Sequence, residues 1–333
     1  MKVLVIRFSS IGDIVLTSPV IRCLKLSDKS MEVHVLTKPQ YASIFAENPY
    51  ITKVHTLAGK PGETAAFLRQ EKFDFVVDLH KNLRSFRIRL LLGVKGFSFP
   101  KLNLQKYLLV HFKWNLMPEK HIVDRYFDAV KPLGVSNDGK GLDYFIPEND
   151  RMQRSDLPEH IQAGYYAFAI GGNHNTKILP AHKAAVVIGK LDKPVVLLGG
   201  KEDMERAAAI LSIAGDHMVW NSCGKLRLGQ SAWVVEHALG VITNDTGLMH
   251  IAAAFRKPVV SVWGNTVPEL GMYPYIVTNP ERVALIEQKG LSCRPCSKIG
   301  YQTCPEKHFN CMEKHSETQI ADALKKVVSA GRA

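Results

Sequence analysis

Short runs of β-branched and aliphatic residues alternate with segments of helical periodicity from the first residue onward. Apolar runs of this length, bounded by turn residues, predict buried strands of parallel sheets. Strands that alternate with helices predict βα repeats and therefore an α/β fold. The predicted strands are Val3–Ile6, Glu32–Leu36 and Phe73–Asp78 in the first half, and Tyr166–Ile170, Val195–Leu198, Val241–Thr243 and Pro258–Trp263 in the second.

The length and one linker-like segment predict two domains. A chain of 333 residues exceeds the size at which one hydrophobic core usually stops growing. The segment from Gly134 to Pro158 is rich in Gly, Asn, Asp and Pro and has little apolar periodicity, so we place the domain boundary there. Near the end of the chain Ser316 is expected to cap a helix, whose apolar face would consist of Ile320, Ala323, Leu324 and Val327.

The charge of the chain is positive and unevenly distributed. The formal net charge is +12, and residues 1–155 hold 24 Lys and Arg against 15 Asp and Glu. The segment from Lys81 to Lys113 contains eight basic residues and no acidic one. Such a run is either a solvated face or a surface for phosphate-bearing or anionic lipid material. No apolar run reaches the length of a membrane span, and the N-terminus has no cleavable signal pattern, which favours a cytoplasmic location.

The loop after the first strand places a carboxylate where ligands of parallel sheets bind. Residues 7–13 are Arg-Phe-Ser-Ser-Ile-Gly-Asp, and an apolar-periodic helix opens at Ser18-Pro19. Because ligands bind beyond the carboxyl ends of the strands, Asp13 can face a substrate. The alternative is that Asp13 only caps a turn. No G-x-G-x-x-G motif follows this strand, which disfavours a dinucleotide-binding loop.

A second polar loop, Asp245-Thr246-Gly247, follows a strand in the second half and opens a helix of small residues. The free backbone N–H groups at such a helix start can bind phosphate, and His250 lies one turn further on. The alternative for Asp245 and Thr246 is simple helix capping.

Two further strand ends in the second half suit a nucleotide. The polar loop from Gly171 to Pro180 carries Lys177, which is either a cation for a diphosphate or an exposed lysine without a ligand. Asp203 follows the strand Val195–Leu198, where a carboxylate can accept hydrogen bonds from ribose hydroxyls.

Together these loops resemble glycosyltransferase family 9, the ADP-heptose:lipopolysaccharide heptosyltransferases. The resemblance runs from Met1 to about His315. Its most specific parts are Ser-Ser-Ile-Gly-Asp at 9–13 with Pro19, and the block Asp-Thr-Gly-Leu-Met-His-Ile-Ala-Ala at 245–253. It implies the GT-B fold, in which two Rossmann-like domains face each other across a cleft. The acceptor-binding domain would span residues 1–155 and the nucleotide-sugar-binding domain residues 156–315, with the helix of residues 316–333 packing back on the first.

The resemblance also implies an inverting transfer of heptose from ADP-heptose to an acceptor in the lipopolysaccharide inner core. Asp13 would be the general base, in a loop with Ser9, Ser10 and Gly12. Lys177 would contact the donor diphosphate, Asp203 the ribose and Leu226 the adenine. The residues around the diphosphate and donor sugar would be Asp245, Thr246, Gly247 and His250, and the basic candidates for the acceptor are Lys81, Arg84 and Arg87.

The expected partners are a nucleotide-sugar donor, an anionic glycolipid acceptor and an anionic membrane surface at the inner face of the inner membrane. No cofactor is expected, because the chain has no Asp-x-Asp pair to hold a divalent ion. Two rival functions fit parts of the pattern. A sugar-nucleotide epimerase or hydrolase would share the GT-B fold, and a basic nucleic-acid-binding protein would explain the charge and the cysteines below.

Four cysteines near the end of the chain form the most conspicuous local pattern. Cys293, Cys296, Cys304 and Cys311 are separated by two, seven and six residues. Four thiolates can form a structural zinc site, although only the first pair has the usual short spacing. Reduced thiols and disulfides are the alternatives. A similar segment, matched here by Cys304-Pro305, His308 and Cys311-Met312, occurs in family 9.

Overall fold

A computed structural model describes residues 1–330 of the chain as alternating strands and helices. The strands are β1 Lys2–Ile6, β2 Glu32–Thr37, β3 Lys53–Thr56, β4 Phe75–Asp78, β5 Lys95–Ser98, β6 Tyr166–Ala169, β7 Val195–Leu198, β8 Val219–Asn221, β9 Gly240–Asn244, β10 Val259–Trp263 and β11 Val283–Glu287. The helices are α1 Ile11–Val15, α2 Ser18–Ser27, α3 Pro61–Leu68, α4 Leu83–Leu92, α5 Asn103–Phe112, α6 Ile122–Phe127, α7 Glu159–Gln162, α8 Ala181–Gly189, α9 Met204–Ala214, α10 Leu228–His237, α11 Gly247–Ala254, α12 Asn310–Glu313 and α13 Glu317–Ser329.

The chain divides into two compact units. The first contains residues 1–101 and 120–148, and the second contains residues 102–119 and the chain from Asn149 onward. The excursion of residues 102–119 belongs to the second unit because Leu109 and Met117 pack there against Val267 and Leu270. Periodicity in the sequence gives no sign of this excursion.

The first unit is built on a five-stranded parallel sheet in the order β3-β2-β1-β4-β5. Its core contains alternate residues of β1, such as Leu4 and Ile6, together with Phe73 and Ile88 from neighbouring elements. The strand order reverses between β1 and β4, and ligands of doubly wound sheets bind beyond the strand ends at such a reversal. The loops after β1 and β4 are therefore the places to look for a site.

The second unit is built on a six-stranded parallel sheet in the order β11-β10-β9-β6-β7-β8. Here the order reverses between β6 and β9. The loops that carry Lys177 and Asp245 follow these two neighbouring strands. The topology thus places the lysine and the aspartate at the same sheet edge.

All seven predicted strands are present, within two residues at each end. The strands that the periodicity does not predict are β3, β5, β8 and β11. All four lie at sheet edges, and most of their residues are half-buried or exposed rather than buried. Half-buried edge strands lack the continuous apolar run on which the prediction rests.

The last helix, α13, forms as predicted, with Ser316 as N-cap accepting a hydrogen bond from the backbone N of Gln319 at 3.2 Å. It differs from expectation in its partner, because it packs on α8, β9, β10 and β11 of the second unit. The physical reason is that Ile320 and Leu324 join the apolar core of that unit. Residues 331–333 of the predicted segment lie outside the described residues.

No helix within residues 1–330 is both long enough and apolar enough to cross a membrane.

Candidate active site

In the first unit, Asp13 lies in the first turn of α1, directly beyond the carboxyl end of β1. Its Oδ2 accepts hydrogen bonds from the backbone N and the hydroxyl of Ser10, at 3.2 and 2.9 Å. Its Oδ1 forms an ion pair with the guanidinium of Arg7 at 2.5 Å. The Asp13 side chain is still 23% exposed. Asp13 therefore caps the turn through Oδ2 only, and its Oδ1 is held by the guanidinium of Arg7.

Arg7 holds the Asp13 loop in place, and no pattern in the sequence indicates this role. Its guanidinium donates to the carbonyl oxygens of Ser9 and Leu79, at 2.9 and 2.5 Å, and to the hydroxyl of Tyr126 at 3.1 Å. Burial is the largest single effect and lowers the pKa of Arg7, but Asp13, Tyr126 and Asp78 together outweigh it, so the net shift of the pKa is upward. Arg7 therefore connects the loops after β1 and β4, which meet at the reversal of strand order.

His80, in the loop after β4, is also close to this carboxylate. Its ring packs against that of Phe8 with a centroid distance of 4.8 Å. Burial, followed by the positive charges of Arg7 and Lys101, lowers the pKa of His80 to about 3. His80 is consequently neutral at physiological pH and does not add a positive charge beside Asp13.

The candidate acceptor residues Lys81, Arg84 and Arg87 all have exposed side chains at or near the start of α4. The Lys81 ammonium donates to the carbonyl oxygen of Phe99 at 2.8 Å. Buried Asp78, at the end of β4, accepts a hydrogen bond from the backbone N of Lys81 at 2.7 Å. The end of β4 thereby holds the start of the basic segment in place.

In the second unit, Lys177 and Asp245 form an ion pair with an Nζ to Oδ2 distance of 2.5 Å. The hydroxyl of Thr266, which follows β10, donates to the same oxygen at 2.9 Å. Lys177 is thus neither a lone cation nor a freely exposed lysine, because a carboxylate 68 positions away already neutralises it. Thr266 lies at a third strand end and is a site residue that the sequence analysis missed, although the same rule of strand ends points to it.

The start of α11 has the geometry expected of an anion-binding helix end. Thr246 is the N-cap residue in extended conformation, and its side chain makes no capping hydrogen bond. Its hydroxyl lies 3.3 Å from that of Thr243. Gly247 is the first helical residue, and His250 is buried within the helix. The capping alternative for Asp245 and Thr246 therefore does not describe their side chains here.

The loop with Lys177 approaches the end of β10 very closely. A methyl group at Gly264 would lie 2.4 Å from the carbonyl oxygen of Thr176. The Thr176 backbone and hydroxyl are also hydrogen-bonded to the backbone of Tyr301 at 2.8 to 3.1 Å. Tyr301 belongs to the cysteine-rich segment, residues 293–311. This segment therefore supports the loop that presents Lys177.

Arg294, also in the cysteine-rich segment, supports the loop after β10. Its guanidinium donates to the carbonyl oxygens of Gly264 and Thr266, at 2.6 and 2.8 Å, and pairs with Glu287 at 2.7 Å. The segment thus contacts two of the three loops at this sheet edge, a role that its cysteine spacing does not predict.

The four clustered cysteines are free thiols, like Cys23 and Cys223. Burial, followed by neighbouring cysteines, raises the pKa of Cys296 to about 12 and that of Cys311 to about 11. Cys293 Sγ lies 3.9 Å from His308 Nε2. Within residues 1–330 no cysteine belongs to a group of three potential ligand atoms within 4.8 Å of one another. The zinc site stays a prediction.

Asp203 is placed differently from the expectation that it faces a ribose. It is only 3% exposed, and its Oδ2 accepts a hydrogen bond from the backbone N of Gly200 at 3.0 Å. Its Oδ1 pairs with Arg206 at 2.5 Å. A methyl group at Gly171 would lie 2.1 Å from this carboxylate, so the first glycine of the Lys177 loop rests directly on it. Leu226 is half-buried in the loop between β8 and α10.

We expect Arg206→Ala to destabilise the second unit, because it leaves the buried Asp203 carboxylate without its cation. Losing one partner of a buried ion pair costs about 3–5 kcal/mol, and the partial exposure of Arg206 reduces this to about 2–3 kcal/mol. Thermal unfolding would show the loss as a lower Tm, while Lys201→Ala in the adjoining turn serves as the control. An equal Tm for the two variants would mean that water hydrates Asp203 well enough to replace Arg206.

Comparison with known proteins agrees with this arrangement. Residues 64–301 match the family model described as glycosyltransferase family 9 (heptosyltransferase). Lipopolysaccharide heptosyltransferase 1 of Campylobacter coli is 23% identical over 297 residues, which cover 80% of this chain and 84% of that protein.

Two solved structures share the fold over the whole chain. The structure of Escherichia coli ADP-heptose LPS heptosyltransferase II aligns over 100% of both chains, with a TM-score of 0.75 and 18% identity. That of Escherichia coli heptosyltransferase WaaC with ADP aligns over 98% of this chain and 100% of the other, with a TM-score of 0.68 and 21% identity. The two parallel-sheet units therefore form a GT-B fold, as predicted, and the chain belongs to glycosyltransferase family 9, the heptosyltransferase family.

Proposed function

We propose that this glycosyltransferase transfers heptose, with inversion, from ADP-heptose to an acceptor in the lipopolysaccharide inner core. The observation that carries the proposal is the position of Asp13, which Arg7 and Ser10 orient at the strand-order reversal of the first unit. The similarity to lipopolysaccharide heptosyltransferases and to a relative holding ADP supports the donor and the acceptor class. The family match does not favour an epimerase, a hydrolase or a nucleic-acid-binding protein.

In the proposed step, the acceptor hydroxyl attacks the anomeric carbon of the donor while Asp13 takes the hydroxyl proton. The new carbon–oxygen bond forms as the bond to the diphosphate breaks, so ADP leaves from the opposite face with the electron pair. General-base assistance of this kind contributes about 10²–10⁴ in rate. Ser9, Ser10 and Gly12 shape the loop that holds the base.

On the donor side, Lys177 is proposed to exchange Asp245 for the diphosphate. The charge growing on the leaving group would then meet an ammonium and the N–H groups that begin α11. Thr246, Gly247 and His250 belong to that helix start, and Thr266 keeps Asp245 in place when the lysine leaves.

The nucleoside contacts are also proposals. Leu226 would border the adenine. A ribose contact by Asp203 would require its carboxylate to leave Arg206, so Asp203 is more readily understood as the support of the Gly171 turn.

A transfer assay with purified protein tests the function. The chain is incubated with ADP-heptose and a heptose-free lipopolysaccharide inner-core acceptor, and the products are identified by mass spectrometry. We expect an acceptor heavier by one heptose, together with ADP. Release of free heptose or formation of an epimer without acceptor-dependent product would contradict the proposal. A thermal-shift series with ADP, UDP and GDP tests the nucleotide separately, since a ligand at 100 times its Kd stabilises by about 2.7 kcal/mol.

The exposed face of α4 supports a second part of the proposal, contact with an anionic membrane surface that presents the glycolipid acceptor. Leu83 and Leu90 are 65% and 68% exposed, while Arg84 and Arg87 stand on the same short helix. Apolar side chains among basic ones are typical of helices that lie in a membrane interface. Helix α5 of the second unit and the residues after it repeat the pattern, with exposed Leu104, Tyr107, Phe112, Trp114 and Leu116.

We expect the double substitution Arg84→Gln and Arg87→Gln to weaken binding to phosphatidylglycerol vesicles by roughly 30-fold. Each basic residue near an anionic surface contributes about 1 kcal/mol. The same variant should raise the KM for a lipid-linked acceptor and leave ADP affinity unchanged. The control is Lys60→Gln with Lys72→Gln, an equal change of charge at exposed positions of the same unit. Equal vesicle binding by the two double variants would mean that the basic residues of α4 form a solvated face and do not contact the membrane.

A further inference from the structure

Two histidines and a glutamate lie together in the first unit, on elements that the proposed reaction does not use. His34 is the third residue of β2 and His55 the third of β3, while Glu71 ends the 3-10 turn Arg69–Glu71 after α3. Asp13, by contrast, lies beyond the carboxyl end of β1. Both histidines are buried, at 2% and 5% exposure, whereas Glu71 reaches the surface.

The ligand atoms of these three side chains converge. His34 Nδ1 lies 2.9 Å from His55 Nε2, and Glu71 Oε2 lies 4.0 Å from His34 Nδ1. Glu71 Oε1 lies 3.9 Å from His55 Nε2. Among residues 1–330 this is the one group of three such side chains with all ligand atoms within 4.8 Å of one another. Ligand atoms about 2.0–2.2 Å from a tetrahedral zinc ion are about 3.3 Å apart, so small side-chain movements suffice to surround an ion.

Aromatic packing fixes the orientation of both imidazoles before any ligand arrives. The ring of Phe73 stands edge-on to His34 at 5.2 Å and to His55 at 6.1 Å between centroids. Phe67 lies 5.8 Å from His55 on the same measure. Rings held in this way lose little freedom on binding, which favours a defined site.

The protonation state of the pair also suits a metal ion. Burial is the main cause that lowers the pKa of both histidines, and it brings that of His55 to about 4. Both rings are therefore neutral at physiological pH, as metal ligation requires. With two neutral rings 2.9 Å apart, only one can donate in their mutual hydrogen bond. A bound cation would take the place of that proton, which would move to the other nitrogen of the same ring and leave the ring neutral.

Two lysines near the cluster oppose a cation, but acidic groups balance them. Lys53 donates to Glu71 Oε1 at 2.6 Å, and Lys2 lies 3.3 Å from Glu32 and 3.6 Å from Glu71 Oε2. The two lysines and the two glutamates together carry no net charge. Lys53 is 55% exposed and can turn toward water, which would leave Glu71 available to the ion.

We propose that His34, His55 and Glu71 form a binding site for a divalent transition-metal ion of the zinc, cobalt or nickel type. Such an ion would join β2 and β3 to the turn that ends α3, and would therefore stabilise the first unit. Imidazole nitrogen and carboxylate oxygen are ligands that these ions favour. The inference does not depend on the proposed transfer reaction.

Cobalt binding to the full chain, kept reduced with a phosphine that does not bind the metal, tests the site. Co²⁺ bound by nitrogen and oxygen gives visible d–d absorption, whereas cobalt on the cysteines would add a thiolate charge-transfer band in the near ultraviolet. We expect the d–d band without the thiolate band, at one ion per chain. Zn²⁺ at a hundredfold excess over its Kd should raise the Tm of the first unit by roughly 10 °C, reversibly with EDTA.

Two variants and two controls decide between sites. Glu71→Gln and His55→Gln should each weaken cobalt binding at least tenfold and, at the same zinc concentration, reduce the zinc-induced shift in Tm by about half or more. Cys296→Ser and Glu47→Gln, the latter at an exposed carboxylate of the same unit, should bind cobalt like the unaltered chain. If His55→Gln fails to fold, Glu71→Gln alone decides, because its side chain lies at the surface. Unchanged cobalt binding by Glu71→Gln, or a spectrum with only thiolate ligation, would overturn the proposal.

Discussion

Asp13→Asn is expected to lower kcat by about 10²–10⁴ while ADP binding is retained. The asparagine side chain is nearly isosteric and keeps an oxygen that can accept the hydrogen bonds of Ser10. It cannot take a proton from an acceptor hydroxyl at neutral pH, and it no longer pairs with Arg7. Steady-state rates with ADP-heptose and acceptor measure the loss, and the thermal shift with ADP shows that the fold and the donor site are intact.

The matched control for this change is Asp74→Asn, an exposed aspartate of the same unit on the segment that leads into β4. It removes one negative charge outside the loops at the strand-order reversal and should leave kcat unchanged. If Asp13→Asn retained more than about a tenth of the original kcat, Asp13 would not be the base, and its carboxylate would serve only to cap α1 and pair with Arg7.

Lys177→Ala should weaken both donor binding and turnover, with a combined loss in kcat/KM of roughly 10–150-fold. A charge-assisted hydrogen bond of this kind contributes about 1.5–3 kcal/mol, and the transition state gains most because the leaving diphosphate becomes more negative. Calorimetric titration with ADP separates the binding loss from the rate loss. Lys190→Ala, at an exposed position after α8, is the control and should change neither.

The ion pair with Asp245 makes a sharper test of Lys177 possible. In the unaltered chain the lysine must give up Asp245 before it meets the diphosphate, so part of its interaction energy is lost. In an Asp245→Ala background that competition is absent, and Lys177→Ala should then cost more ADP affinity than in the unaltered chain. An additive double-mutant cycle would mean that the ion pair and the donor do not compete for the lysine.

Local sequence pattern determines much of this fold. Short apolar runs predict the buried strands β1, β6 and β10. Amphipathic periodicity with a serine at the N-cap predicts helix α13. The same rules do not predict edge strands such as β3, nor do they predict that residues 102–119 belong to the second unit. Their positions depend on what covers them in the folded chain, and periodicity describes only the segment itself.

The same limit divides what was predictable about the sites. The sequence by itself identified the strand ends that carry Asp13, Lys177 and Asp245. Ligands bind beyond the carboxyl ends of parallel strands, and the position where a strand ends can be predicted from the chain alone. Only the tertiary structure decided which groups meet there. Folding forms ion pairs between Asp13 and Arg7 and between Lys177 and Asp245. It also buries the ion pair of Asp203 with Arg206, and it brings His34 and His55 into contact. The physical reason is that hydrogen bonds and ion pairs depend on distances of a few ångströms, and folding sets those distances between residues that can be far apart in sequence.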